Sequence, residues 1–345
     1  MSEVSKEDIR YWVGFSLIPG IGRVRFTQLE SYFGNLGDAW KATPAELKYS
    51  GLDSGSIRAI TCWRPKVSLE TEMEKLDRYG VKVVTCQDAD YPSRLKEIYD
   101  YPPILYIRGS LLPEDEWGLS VVGTRRATVY GRQVTEEIVT DLARSKVTII
   151  SGLARGIGTV AHHSALEAGG RSIAIFACGL DTVYPAENTE LARRIMQQGA
   201  LISEYPLGTK PRADNFPRRN RIMGGLSLGV LVVEAGETSG AMITAHLALE
   251  QNREVFAIPG SIFSPASRGT NYLIQEGAKL VRDYTNILEE LNLTAVAHQI
   301  EMKEIIPASD TESLLLKHLG AEPTHMMRSV AQLASQYQRS AVPWL

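Results

Sequence analysis

From Leu119 onward the chain alternates between short continuous apolar runs and longer stretches in which apolar residues recur every three or four positions. The runs are Leu119–Val122, Thr148–Ile150, Ser172–Phe176, Ala200–Ile202, Leu228–Val233, Val255–Ile258 and Lys279–Val281. Between them lie helical periods such as Tyr130–Arg144, Ala161–Ala168, Leu191–Gln198 and Met242–Gln251. A strand with no polar alternation is covered on both faces, and strands separated by helices pair in parallel. The pattern therefore predicts an α/β fold with a doubly wound, Rossmann-like parallel sheet over residues 111–291.

Upstream, residues 1–64 read as short helices. Ile18-Pro19-Gly20-Ile21-Gly22 forms a turn before the amphipathic stretch from Val24 to Tyr32, and Ser50-Gly51-Leu52 repeats the theme. This is the pattern of a helix-hairpin-helix or SAM-like domain, whose glycine-flanked N–H groups lie open to a phosphate. Residues 65–110 are expected to be a connector with a charged helix, Ser68 to Tyr79, and one short strand, Val81 to Thr85. Its closely spaced carboxylates Asp88 and Asp90 read as a turn. A linker over 292–307 leads to residues 308–345, which offer two helical stretches and are expected to be an incomplete winged-helix remnant.

With 345 residues, 44% of them hydrophobic, the chain can bury a full core. Its net charge of -3 excludes a uniformly basic protein, so any nucleic-acid contact must come from local patches. Cys62, Cys86 and Cys178 are far apart and lack metal-ligand spacing, so neither disulfides nor a metal is expected, and the compartment implied is a reducing cytoplasm. No run approaches the roughly 20 apolar residues of a membrane span. The opening MSEVSKEDIRYW lacks the basic and apolar regions of a signal peptide.

One local patch stands out. Arg218, Arg219 and Arg221 fall in FPRRNRIMGG, with no acidic residue between Asp214 and Glu234. Guanidinium groups fork onto phosphate oxygens in a way an ammonium cannot. Ligands of open parallel sheets sit beyond the carboxyl ends of the strands, and the residues there repeat one chemistry. The first run is followed by Gly123 to Gly131 with Arg125 and Arg126, the second by Ser151, Gly152, Arg155 and Gly156, and the fifth by Glu234 to Thr244 with Ser239 and Gly240. Each is a turn feeding a helix, whose N–H groups and dipole favour an anion. Neither GxGxxG nor a Walker lysine motif is present. With Pro259-Gly260-Ser261 after the sixth run, four turns and the arginine run at one sheet edge point to a polyanionic ligand. Catalytic groups are scarce: of His162 and His163 one is expected to face the helix surface and the other a neighbouring loop, and Glu234 to buttress the arginines. The alternative is a nucleotide hydrolase of the phosphoribohydrolase type, although Pro259-Gly260-Ser261 lacks that class's glycine-rich loop with a catalytic Glu.

The blocks VVGTRRATVYG, IISGLARGIGTVAHHSALEAGG, GLDTVYPAENTELARRI, LISEYPLGTKP, NFPRRNRIMGGLS and VVEAGETSGAMITAHLALEQNREVFAIPGS follow in an order that resembles the DprA/Smf family, DNA-processing protein A. The resemblance spans about Tyr91 to Leu291. It implies a protein of natural transformation that is not an enzyme, needs no cofactor, binds single-stranded DNA and helps load RecA, as a homodimer. By that likeness Arg125 stands where the family has its strand-contacting arginine, and Arg218, Arg219, Asn220 and Arg221 fill its basic block. The chain departs from the family at Gly158, where an Asp is usual, and at Ala186 and Thr189, where a Lys is common.

Overall fold

The computed structural model describes residues 8–293; the expected tail, 308–345, and nearly all of the linker before it lie outside them. Six helices come first: α1 (Ile9–Ser16), α2 (Arg23–Phe33), α3 (Leu36–Lys41), α4 (Pro44–Tyr49), α5 (Ser54–Trp63) and α6 (Leu69–Tyr79). Their starts are written in the sequence, since Asn35, Thr43, Asp53 and Ser68 each accept a first-turn backbone N–H. The expected hairpin turn joins α1 to α2, with Gly20 at φ +83°, a conformation that disfavours any side chain. Trp12 stacks on Phe26 at 5.3 Å and Phe15 meets Trp40 edge-on at 5.0 Å, which ties α1, α2 and α3 together.

The rest is β1 (Lys82–Thr85), α7 (Ser93–Lys96), β2 (Ile104–Gly109), β3 (Gly118–Val122), α8 (Val129–Arg144), β4 (Thr148–Ser151), α9 (Ile157–Glu167), β5 (Ser172–Ile175), α10 (Thr189–Gln197), β6 (Gly199–Ser203), α11 (Asn215–Leu226), β7 (Gly229–Val232), α12 (Gly240–Glu250), β8 (Glu254–Ala257), α13 (Arg268–Gln275), β9 (Lys279–Leu280) and α14 (Tyr284–Glu290). The nine strands form one sheet in the order β1-β2-β6-β5-β4-β3-β7-β8-β9. From β6 to β9 all neighbours are parallel, with Ser120 opposite Ile150 on one side and Val230 on the other. The order reverses at β3, between β4 and β7, and this reversal opens a crevice at the carboxyl ends.

The segment expected to be a connector is part of the sheet. β1 and β2 extend it antiparallel beyond β6. Asp88 accepts the N–H of Thr85 at 2.7 Å, closing a turn, and Asp90 pairs with Lys82 at 2.6 Å.

Side chains of successive residues alternate between two apolar clusters. Ile173, Ile175, Leu105 and Ile107 face α11 and α12 residues such as Ile222, Leu226 and Ala245. Ile104, Tyr106, Ala174 and Leu201 face the other way, into a single cluster with Trp12, Phe15, Leu29 and Leu76 of the helical segment. The Ser16 and Tyr106 hydroxyls meet within this cluster at 2.7 Å. The helices before β1 therefore cover one face of the sheet.

Among the described residues no helix is long and apolar enough to cross a membrane, and the three cysteines are free.

Candidate nucleic-acid interface

At the reversal point lies a cleft of about 640 Å³. Its walls are the turn after β3 (Gly123, Thr124, Arg125), the turn after β4 (Ser151, Gly152, Ala154), Tyr184, the loop and first turns of α11, and the start of α12 from Ser239 to Thr244. An adjoining hollow of about 470 Å³ shares Arg125, Gly152, Tyr184 and Phe216 and adds Arg126, Arg155 and Ala186.

The turns after β3 and β4 are pressed together. Ile157 donates its N–H to the Thr124 carbonyl at 3.2 Å, and Gly156 has φ +74° with its missing Cβ directed at the Arg125 backbone, 2.7 Å from that carbonyl carbon. A side chain at 156 would drive the two anion-facing turns apart.

The arginine run is helical, which the sequence reading did not anticipate. Pro217 sits in the first turn of α11, where no intrahelical N–H is needed. At 100° per residue the helix sends the three guanidinium groups in different directions. Arg218 is exposed. Arg219 is 4% exposed and forms the cleft floor. Its Nη1 donates to the Gly152 carbonyl at 3.0 Å and to the Ile175 carbonyl, and its Nε donates to Asn220 Oδ1 at 3.3 Å. A Cβ at Gly152 would stand 2.5 Å from its Cζ, so the close approach requires glycine there. Burial, together with nearby Arg125, lowers the Arg219 pKa to about 10. Arg221 points away from the cleft and binds Glu204 and, at 3.0 Å, Asp100. The expectation that all three arginines face one anion is corrected accordingly.

Arg125 and Arg219 both lie against Phe216, at 5.3 and 5.9 Å from the ring centre. Tyr184, 48% exposed, meets the same ring edge-on at 5.8 Å. Tyr184 lies on no strand end, so a search of the strand ends passes it over. Tyr130, in the first turn of α8, donates its hydroxyl to the Pro259 carbonyl at 2.8 Å, outside the cleft lining.

Other expected contacts are redirected. Arg155 is held by Glu187 through two 2.8 Å bonds, so its charge is already matched. The Ser151 hydroxyl donates to the Val121 carbonyl at 2.7 Å, and that of Thr244 to the Gly240 carbonyl at 3.3 Å. Gly131 lies under Glu234 and donates its N–H to Thr128 Oγ1 at 3.1 Å. Glu234 does not buttress arginines: its buried carboxylate accepts the Thr128 N–H at 3.0 Å and hydroxyl at 2.5 Å, fixing the start of α8. Ser239 Oγ is buried at the mouth of α12 without a partner among the described residues. Asn220 reaches the Gly240 carbonyl at 3.4 Å, linking the arginine helix to that same mouth. Gly158 also lines the cleft, at the position where the family's Asp is absent.

His162 is buried, with Nδ1 2.7 Å from Ser172 Oγ and Nε2 accepting the Leu153 N–H at 3.3 Å. It supports the turn after β4, as expected of a loop-facing histidine. Among the described residues there is no group of three His, Cys, Asp or Glu able to hold a metal.

The model of the family described as DNA recombination-mediator protein A matches residues 82–292. Protein Smf of Synechocystis is 38% identical over 302 residues, spanning 86% of this chain and 76% of that protein. The X-ray structure of DNA processing protein A from Streptococcus pneumoniae superposes with a TM-score of 0.69 at 33% identity, over 84% of this chain and 99% of that one. The Helicobacter pylori DNA processing protein A, solved to describe its single-stranded DNA binding mode, gives 0.56 at 30% identity, over 61% and 95%. A parallel sheet reversed at β3, a cleft floored by an arginine that no carboxylate among the described residues binds, and a family model matched across the whole sheet agree: the chain belongs to the DNA recombination-mediator protein A family.

Proposed function

We propose that this chain binds single-stranded DNA across the cleft and delivers it to the RecA recombinase, in the cytoplasm, without turning it over. The observation that carries the reading is the pair Arg125 and Arg219 on one phenyl ring, with no carboxylate among the described residues bonded to either. Two like charges held close in a partly buried site repel unless an anion joins them. Arg126 and Arg218 extend the positive rim, and Phe216 with Tyr184 offers faces on which bases stack, the combination that suits unpaired strands. The Helicobacter pylori protein's single-stranded DNA binding supports the same reading. A binding role without catalysis is supported by the best carboxylate candidate, Glu234, being committed to Thr128.

Titration of a labelled dT oligomer at several salt concentrations tests this. Arg125→Ala and Arg218→Ala should each weaken binding and flatten the slope of log K against log salt by about 0.7, one phosphate contact apiece. Unchanged slopes in both variants would refute the assignment.

Pairing of two copies is proposed through the face between Asn271 and Leu291, where Tyr272 and Leu280 are 47% and 39% exposed. Light scattering at tens of micromolar should report twice the chain mass, and Tyr272→Glu with Leu280→Arg should halve it. A monomer from the unaltered chain refutes the pairing.

A further inference from the structure

Three features of the cleft floor exceed what a passing strand needs. Arg219 is 4% exposed, and its bonds go to two carbonyls and an amide oxygen, so its charge is hydrogen-bonded but not neutralised. Ser239 Oγ is buried with no partner among the described residues, at the start of the eleven-residue α12, where Met242 donates its N–H to the Ser239 carbonyl at 3.0 Å and the N–H groups of Gly240 and Ala241, which no side chain caps, carry the positive end of the helix dipole. At about 640 Å³ the cleft has the size of a small-ligand pocket, roughly 300–1,000 Å³.

An internal phosphodiester carries one negative charge and is tied to sugars on both sides, so a strand reaching Arg219 through the middle of its backbone must enter and leave by the same mouth. A phosphomonoester has one attachment and carries roughly -1.5 to -2 near neutral pH. It matches two arginines in charge and a closed floor in shape.

We propose that the cleft holds the phosphorylated end of a single strand, with the terminal phosphate between Arg125, Arg219 and Ser239 and the last base against Phe216 and Tyr184. The proposal rests on the single-strand reading and adds to it a preference for ends. The residues divide accordingly: Arg126 and Arg218 on the rim serve any backbone, whereas Arg219 and Ser239 on the floor serve the terminus.

The test compares four dT ligands of equal length: a closed circle, a linear strand with hydroxyl ends, and linear strands phosphorylated at the 5′ or the 3′ end. The circle and the hydroxyl strand should bind alike, and one phosphorylated strand about tenfold more tightly, the gain of added hydrogen bonds to a charged group. Ser239→Ala, which removes a hydroxyl without a partner among the described residues, should bring the phosphorylated strand down to nearly the affinity that the hydroxyl strand shows for the same variant. Equal affinity for all four ligands overturns the proposal and leaves the single-strand reading standing. Binding of none of them overturns both. Thymidine monophosphate and thymidine serve as competitors. Displacement by the monophosphate, with no gain from a phosphate on the strand itself, assigns the cleft to free mononucleotides and overturns the strand-end proposal.

Discussion

Arg221→Ala should cost about 3 kcal/mol of unfolding free energy at neutral pH, the usual penalty for leaving one member of a buried ion pair alone. The guanidinium lies between Glu204, at the end of β6, and Asp100, in the segment leading into β2. Glu204 is largely enclosed, and burial raises its pKa against the opposing pull of Arg221. With Arg221 gone, the carboxylate must either stay charged in a poor environment or take up a proton. The loss should therefore shrink as the pH falls toward the raised Glu204 pKa, and Glu204→Gln should restore part of it in the double variant. Urea unfolding at two pH values reads both effects. The same variant should leave the salt slope of strand binding unchanged, because the side chain faces away from the cleft. Arg218→Ala should show the opposite behaviour, with under about 0.5 kcal/mol lost in stability and a flatter salt slope. If Arg221→Ala flattened the slope while stability held, the division of the arginine run between structure and binding would be wrong.

Acid should weaken the fold through His162. Ser172 Oγ already donates to the Ile149 carbonyl, so it accepts from Nδ1–H, while Nε2 accepts the Leu153 N–H. The neutral Nδ1–H form satisfies both partners, and a proton on Nε2 would confront the Leu153 N–H. Burial, with smaller contributions from His163 and Arg219, lowers its pKa from 6.5 to about 3. The unfolded chain thus binds this proton more readily than the folded one. The stabilisation is complete above about pH 6.5 and is lost as the pH falls toward 3, by about 2 kcal/mol at pH 5. His162→Gln, which has no proton to gain, should lose about that much less between pH 7 and pH 5. Parallel stability curves for the two proteins would rule the mechanism out.

The parallel sheet was legible because its strands are continuous apolar runs, and the turns after β3 and β4 because glycine and arginine recur at fixed places beyond those runs. The antiparallel additions were not. β1 is four residues long, and nothing local distinguishes pairing with β2 from a free connector. The arginine run was misread for a physical reason. Pro217 in the first turn and Gly224-Gly225 in the last hide the helical period, and without that period neighbouring arginines look like one cluster. Glu234 looked like a partner for them because a carboxylate at a strand end near cations invites pairing. The competing signal was Thr128, a helix-capping residue whose own backbone and hydroxyl needed an acceptor. Tyr184 was out of reach, since its edge-on contact with Phe216 joins residues 32 positions apart in the chain.

The shared core between the first six helices and the sheet limits how this chain can be taken apart or recombined. A cut after residue 64 would uncover Ile104, Tyr106, Ala174 and Leu201, which now face Trp12, Phe15 and Leu29. Such a fragment would carry a broad oily face where the intact protein has none, and fragments of that kind stick to one another. A chimera that borrows the helical segment from a relative inherits half of a packing puzzle, and it will be soluble only if the borrowed side chains fit the sheet face they meet. Substitutions in these helices should therefore track substitutions in β2, β5 and β6 across relatives, as they do on the two sides of an obligate interface.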